Sequence, residues 1–143
     1  MTHIQRSAIV PYTAEQMYAL VVDVERYPEF LPWCSGAAVL ERDAAGVKAS
    51  LSLSRGPAHG SFTTRNEFTP SEQVAMHLID GPFESLEGLW RFQRIGDAGC
   101  RVSLDVRFRM KHALAALLLG RAFEKSCDQL VDSFCRRAAQ VYG

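Results

Sequence analysis

The cleanest alternation of apolar and polar residues runs from Arg101 to Met110, where Val102, Leu104, Val106, Phe108 and Met110 oppose Arg101, Ser103, Asp105, Arg107 and Arg109. A side-chain period of two places these sets on opposite faces of a strand, one buried and one wet. The same period recurs at Ile4 to Val10, at Ala49, Leu51 and Leu53, at Phe62, Thr64, Asn66 and Phe68, and at Val74, Met76 and Leu78. It returns once more at Leu86, Gly88, Trp90 and Phe92. Turn-forming runs separate these segments, among them Asp43-Ala44-Ala45-Gly46, Arg55 to Gly60 and Asp80-Gly81-Pro82, as hairpin connections require.

Two stretches follow a helical period instead. Met17, Leu20, Val21 and Val24 recur at three and four residues, and Thr13 followed by Glu15 and Gln16 offers an N-cap with a carboxylate or amide to reach back. From His112 to Tyr142 there is no proline, and Phe123, Cys127, Leu130, Val131, Phe134 and Ala138 share one face. This predicts one helix about 45 Å long. Between the first strand and the rest, Tyr27 to Trp33 carries two prolines and three aromatic residues, which predicts a helical turn and an ordered plug at one end of the fold. The order of elements predicts an α+β domain spanning 1–143, a curved antiparallel sheet of about seven strands wrapped around a long C-terminal helix, because each element has one apolar face to cover.

The inward faces of such a fold collect Phe62, Met76, Leu86, Trp90, Phe92 and Phe108 from the strands, and Leu118, Phe123 and Phe134 from the helix. Ordinary core packing accounts equally well for any one of them. Three features point to a cavity: Gly120 within the helix, Gly88 among bulky neighbours, and Thr64 with Asn66 in the inward phase, where polar groups need partners. An apolar pocket with a few polar groups suits a small hydrophobic ligand.

Charge alters this picture only locally. Sixteen Lys and Arg balance sixteen Asp and Glu, so bulk attraction to nucleic acid or membrane is removed as a default. Before Cys100 there are eight basic and twelve acidic residues, and from Cys100 onward eight and four. Within that basic half Arg101, Arg107, Arg109 and Lys111 share the outward strand phase, and Arg121, Lys125, Arg136 and Arg137 follow on the helix. The four cysteines lack metal-ligand spacing and read as buried thiols. The four histidines have no evident partner, and Glu84 and Glu87, three apart in a strand, are expected on opposite faces. No catalytic residue and no metal site is expected. The N-terminus has no signal-like apolar run, which predicts residence in a reducing cytoplasm.

Asp23 to Cys34, reading DVERYPEFLPWC, closely resembles the signature of the coenzyme-Q-binding START-domain family, within the polyketide cyclase/dehydrase-like SRPBCC superfamily. Asp80 to Phe92, Phe62 to Asn66 and the closing Val141-Tyr142-Gly143 resemble further family features in the same order. Arg55 to Gly60 departs from the pattern. The resemblance implies a helix-grip fold of the START/Bet v 1 kind, with Tyr27, Phe30, Leu31, Pro32 and Trp33 at the mouth of a hydrophobic tunnel and Phe83, Leu86 and Trp90 along its wall. It implies three alternative functions. The first is non-enzymatic binding and transport of ubiquinone or a related polyisoprenoid lipid in support of bacterial respiration, with no cofactor required and transient contact with the inner-membrane surface. In the second, a ribosome association toxin binds the large ribosomal subunit and inhibits translation initiation; the outward-facing Arg101, Arg107, Arg109 and Lys111, singled out by charge and strand phase, are its candidate contacts. The third is a polyketide cyclase or aromatase, which lacks an acid/base pair in the sequence.

Overall fold

Thr13 caps the first helix as its spacing predicts: its hydroxyl accepts the Gln16 amide, and the Gln16 side chain accepts the Thr13 amide at 2.9 Å. The computed structural model describes residues 1–143. Strand β1 (Thr2–Val10) precedes helix α1 (Ala14–Val22) and a 3₁₀ segment, Val24–Glu29. Six strands follow: β2 (Cys34–Asp43), β3 (Gly46–Arg55), β4 (Ala58–Thr69), β5 (Gln73–Asp80), β6 (Phe83–Ile95) and β7 (Gly99–Met110). The chain closes with a helical turn α2 (Ala113–Ala115), a π-helical turn (Ala116–Gly120) and helix α3 (Arg121–Tyr142).

All seven strands form one antiparallel sheet in the order β1-β7-β6-β5-β4-β3-β2. Only the β1–β7 pairing joins strands distant in sequence, with Ile4 opposite Val106 and Val10 opposite Cys100. The inner face of the sheet holds α3, and the Arg6–Asp128 ion pair, 2.6 Å, ties the edge strand β1 to that helix. This is the START/Bet v 1 helix-grip fold. Strand β2 is the one without a legible pattern, because Gly36, Ala37 and Ala38 carry little apolar contrast and its second half is exposed at the sheet edge.

Three expectations are corrected here. The predicted single helix is three contiguous pieces, with a π turn between them. Leu118, expected inward, is 62 % exposed, and Leu119 is buried in its place. The reason is helical phase: Leu119 lies four residues before the buried Phe123 and shares its face, whereas Leu118 is rotated out. Glu84 and Glu87 are both exposed. A bulge between Phe83 and Ser85 shifts the alternation by one, so Phe83 and Leu86, three residues apart, both point inward.

Candidate functional site

The interior divides into three parts. At one end Phe62, Phe83, Phe108 and Phe123 form a cluster of edge-to-face rings, with Phe123 centred 4.8 Å from both Phe83 and Phe108. At the other end Phe134 receives the edges of Tyr27, Phe30 and Trp90 at 5.4, 5.0 and 5.1 Å. Between them lies a cavity bounded by β3, β4, β5, β6, β7 and α3, with Val24, Tyr27 and Trp33 closing one side. Of the expected ligand-contacting residues, Tyr27, Trp33, Phe62, Thr64, Asn66 and Met76 line it. Leu86, Trp90, Phe123 and Phe134 do so as well.

The other expected contacts lie elsewhere. Leu31 is buried in the core behind the cavity wall, and Pro32 faces solvent. Phe30 packs on Phe134 and carries the Arg137 guanidinium 5.0 Å above its ring. Phe83 and Phe108 fill the end cluster, and Phe92 stacks parallel to Trp90 on the side of Tyr18. Leu118 is on the outer surface. The cavity also takes side chains that periodicity left undistinguished from core, notably Leu51, Ser126, Cys127 and Leu130. Their alternation was legible, but which of the inward residues border open space depends on packing.

That space is small. About 70 Å³ is open to the centre of a water-sized sphere, enough for a few waters and well below the several hundred Å³ of an ordinary ligand pocket. The roomy tunnel expected from the glycines is therefore narrowed by side chains. Gly88 leaves no gap, because the Met76 methyl sits 2.4 Å from where a Cβ would stand. Gly120 needs no close approach, since its Cβ position is 3.5 Å from Met110.

Two polar side chains of the cavity are paired with each other. The Thr64 hydroxyl donates to Asn66 Oδ1 at 2.6 Å, with both residues buried. That bond occupies the amide oxygen and leaves the Asn66 NH₂ as the donor for any acceptor entering the cavity. Trp33 Nε1 is buried with no partner, a second donor beside the same space. Tyr27 donates its hydroxyl to the Val21 carbonyl at 2.5 Å, and burial pushes its pKa well up. Burial likewise raises the Cys127 thiol that lines the cavity, so it sits there as a neutral, weakly polar side chain.

Histidines and charged side chains stay outside the cavity. His3 pairs with Asp105 at 3.0 Å, His77 with Glu67 at 3.1 Å, and His112 Nδ1 accepts the Ala115 amide at 3.1 Å. Three histidines thus have the partners that the sequence did not reveal. No group of three His, Cys, Asp or Glu side chains could hold a metal ion, and no helix is long and apolar enough to cross a membrane. Arg101, Arg107 and Arg109 lie on the outer sheet face as expected, joined by Arg91, which neighbours Ser103 across the β6–β7 ladder. Asp105 sits within that row and takes His3, Gln5 and Arg107. The basic residues of α3 are on the opposite side of the sheet, and Arg137 is engaged by Glu29 at 2.8 Å.

Residues 10–135 match the family described as polyketide cyclase/dehydrase and lipid transport. The chain belongs to that family. Within it, the chain is 44% identical over 142 residues to the ribosome association toxin RatA of Pseudomonas aeruginosa, covering 99% of each protein. It is 31% identical to the mitochondrial coenzyme Q-binding protein COQ10 homolog B of Xenopus laevis, over 96% of this chain and 58% of that one. The Zhui aromatase/cyclase from a Streptomyces species has the same fold, with a TM-score of 0.88 over 99% of this chain and 96% of its own at 16% identity. The cavity described above occupies the space that the sheet and α3 enclose in this polyketide cyclase/dehydrase and lipid transport fold.

Proposed function

We propose that this protein is a ribosome-associating member of the family, docking on the large subunit and hindering translation initiation. The observation that carries the reading is the end-to-end match at 44% identity to a protein named for ribosome association. The outer sheet face offers the chemistry: Arg91, Arg101, Arg107 and Arg109 are exposed on adjacent strands, and grouped guanidinium groups suit phosphate contacts. Sedimentation of bacterial ribosomes with added protein tests it. Expected is migration with the large subunit at low salt, released as salt rises and weakened by Arg101→Gln with Arg109→Gln; absence from the large-subunit fraction at low salt overturns it.

A second reading concerns the cavity, and the Thr64–Asn66 pair favours it. An apolar chamber holding one free amide donor suits an apolar molecule with an acceptor oxygen, such as a quinone or another polyisoprenoid lipid. Binding and transfer rather than turnover is the role assigned, because the buried polar residues are Thr64, Asn66, Ser126 and Ser133, none of them an acid or base near neutral pH. Mass spectrometry of lipid extracted from fresh protein is expected to find such a molecule. Its absence, together with no response to added quinone, removes this reading without touching the first.

A further inference from the structure

The π turn and the residues around it form the most apolar exposed point of the molecule. Leu114, Leu117 and Leu118 are 59, 78 and 62 % exposed, and their spacing of three and four residues puts them on one side of a helical turn. Large aliphatic groups clustered in water at this density mark a contact surface rather than incidental exposure. The backbone there is satisfied locally: His112 caps the turn, and the Ala116 amide bonds the His112 carbonyl at 3.0 Å. Such a segment can enter an apolar medium without orphaned amides.

Basic residues flank the leucines along the chain. Between Asp105 and Glu124 the chain has no acidic residue and carries Arg107, Arg109, Lys111 and Arg121. Arg109 and Arg121 border one shallow cleft with Ala116 and Gly120, and Glu124 lines it too. The Lys111 amide is held by the Pro82 carbonyl at 2.9 Å, which brings the turn bearing Asp80 and Glu84 alongside. Asp80 is engaged by the Gly81 amide. The arrangement is an apolar tip with a cationic collar tempered by acids, so the leucines supply most of the attraction and the collar selects the sign of the headgroup.

We propose that the Leu114–Leu118 turn inserts into the headgroup boundary of an anionic lipid bilayer and seats the protein there. A bilayer fits better than a protein partner, because three leucines on a single turn form a point and not the ~800 Å² face that a stable protein interface needs. Position strengthens the assignment. Leu119, next in sequence, is seated over Gly60, where a Cβ would stand 2.8 Å from its methyl group. Gly60 shares the inward phase of Phe62, which borders the cavity beside Phe123. Insertion of the turn therefore acts on the contact that closes the Phe62–Phe123 end of the interior, which is where an apolar molecule leaving a membrane would enter. That last step rests on the apolar-ligand reading; the docking itself does not.

Flotation or pelleting of the full chain with vesicles tests docking alone, since the vesicles contain only phosphatidylcholine, or phosphatidylcholine mixed with phosphatidylglycerol. Expected is binding to the mixed vesicles, weaker binding to the neutral ones, and a loss of about tenfold or more in partitioning for Leu117→Glu. Arg121→Gln is expected to weaken binding only at low salt. Leu118→Ser serves as the milder variant, and an unchanged melting temperature confirms that each is folded. Failure of the wild-type chain to bind mixed vesicles overturns the proposal, as does binding indifferent to Leu117→Glu. If Leu117→Glu abolishes ribosome association instead and spares vesicle binding, the tip belongs to the ribosome contact and the proposal also falls.

Discussion

Asp43 shows how much one side chain can organise. Its Oδ1 accepts the amides of Ala45 and Gly46 at 2.8 and 3.0 Å, and both carboxylate oxygens accept from Arg65 at 2.9 Å. The β2–β3 turn is thereby pinned to β4. The hydrogen-bonded Arg65 guanidinium, helped by those amides, holds the Asp43 carboxyl down to about 2. A depressed folded value means that the unfolded chain takes up the proton first as pH falls. The contribution is therefore complete above the ordinary carboxylate range, about 4, and is lost as pH drops through about 2. Melting temperature measured against pH should show a shallower acid limb for Asp43→Asn than for the wild-type chain; identical limbs would remove Asp43 as the linked group. The residues of this turn were visible in the sequence as turn chemistry, but the partner, Arg65, lies on another strand and only pairing brings it there.

At the level of elements, glycines separate two kinds of constraint. Gly46 opens β3 against β4, where a Cβ would stand 1.9 Å from the Asn66 carbonyl oxygen, a backbone atom that cannot swing aside. Gly46→Ala should cost about 2 kcal/mol or more by forcing the two strands apart. Gly120 is the opposite case. It has helical dihedrals, and a Cβ there would make ordinary contact with Met110 at 3.5 Å, so Gly120→Ala should stabilise by up to about 1 kcal/mol through helix propensity. Chemical denaturation of both variants checks the signs, and a stabilised Gly46→Ala or a destabilised Gly120→Ala would contradict the packing described. Gly60, at the end of the stretch that departs from the family pattern, makes room for Leu119, which links the β3–β4 hairpin to the π turn.

For the whole molecule, the narrow cavity predicts how a ligand must bind. With about 70 Å³ open, a quinone-sized guest can enter only by moving Met76, Phe62 or Phe123, so association should be slow relative to encounter and should raise the melting temperature once complete. Trp33 and Trp90 are the chain's two tryptophans and both line the cavity. Their fluorescence should therefore report binding directly, with a slow phase. A fast, diffusion-like response with no thermal stabilisation would place the ligand on the surface instead. The separation of charge belongs to this level too: the basic excess of the second half splits between the outer sheet face and the helix side, so the proposed ribosome contact draws on the strand arginines.

Local chemistry was enough to set the elements, because a period of two or of three to four follows from backbone geometry and is written in each segment separately. Strand phases, the Thr13 cap, the inward Thr64 and Asn66 and the outward arginines are all of this kind. The β2 edge, the Phe83 bulge, the exchange of Leu118 for Leu119 and the size of the interior are not. They depend on how side chains from distant segments interdigitate, and the volume left between packed faces is a small difference between large quantities that no single segment encodes.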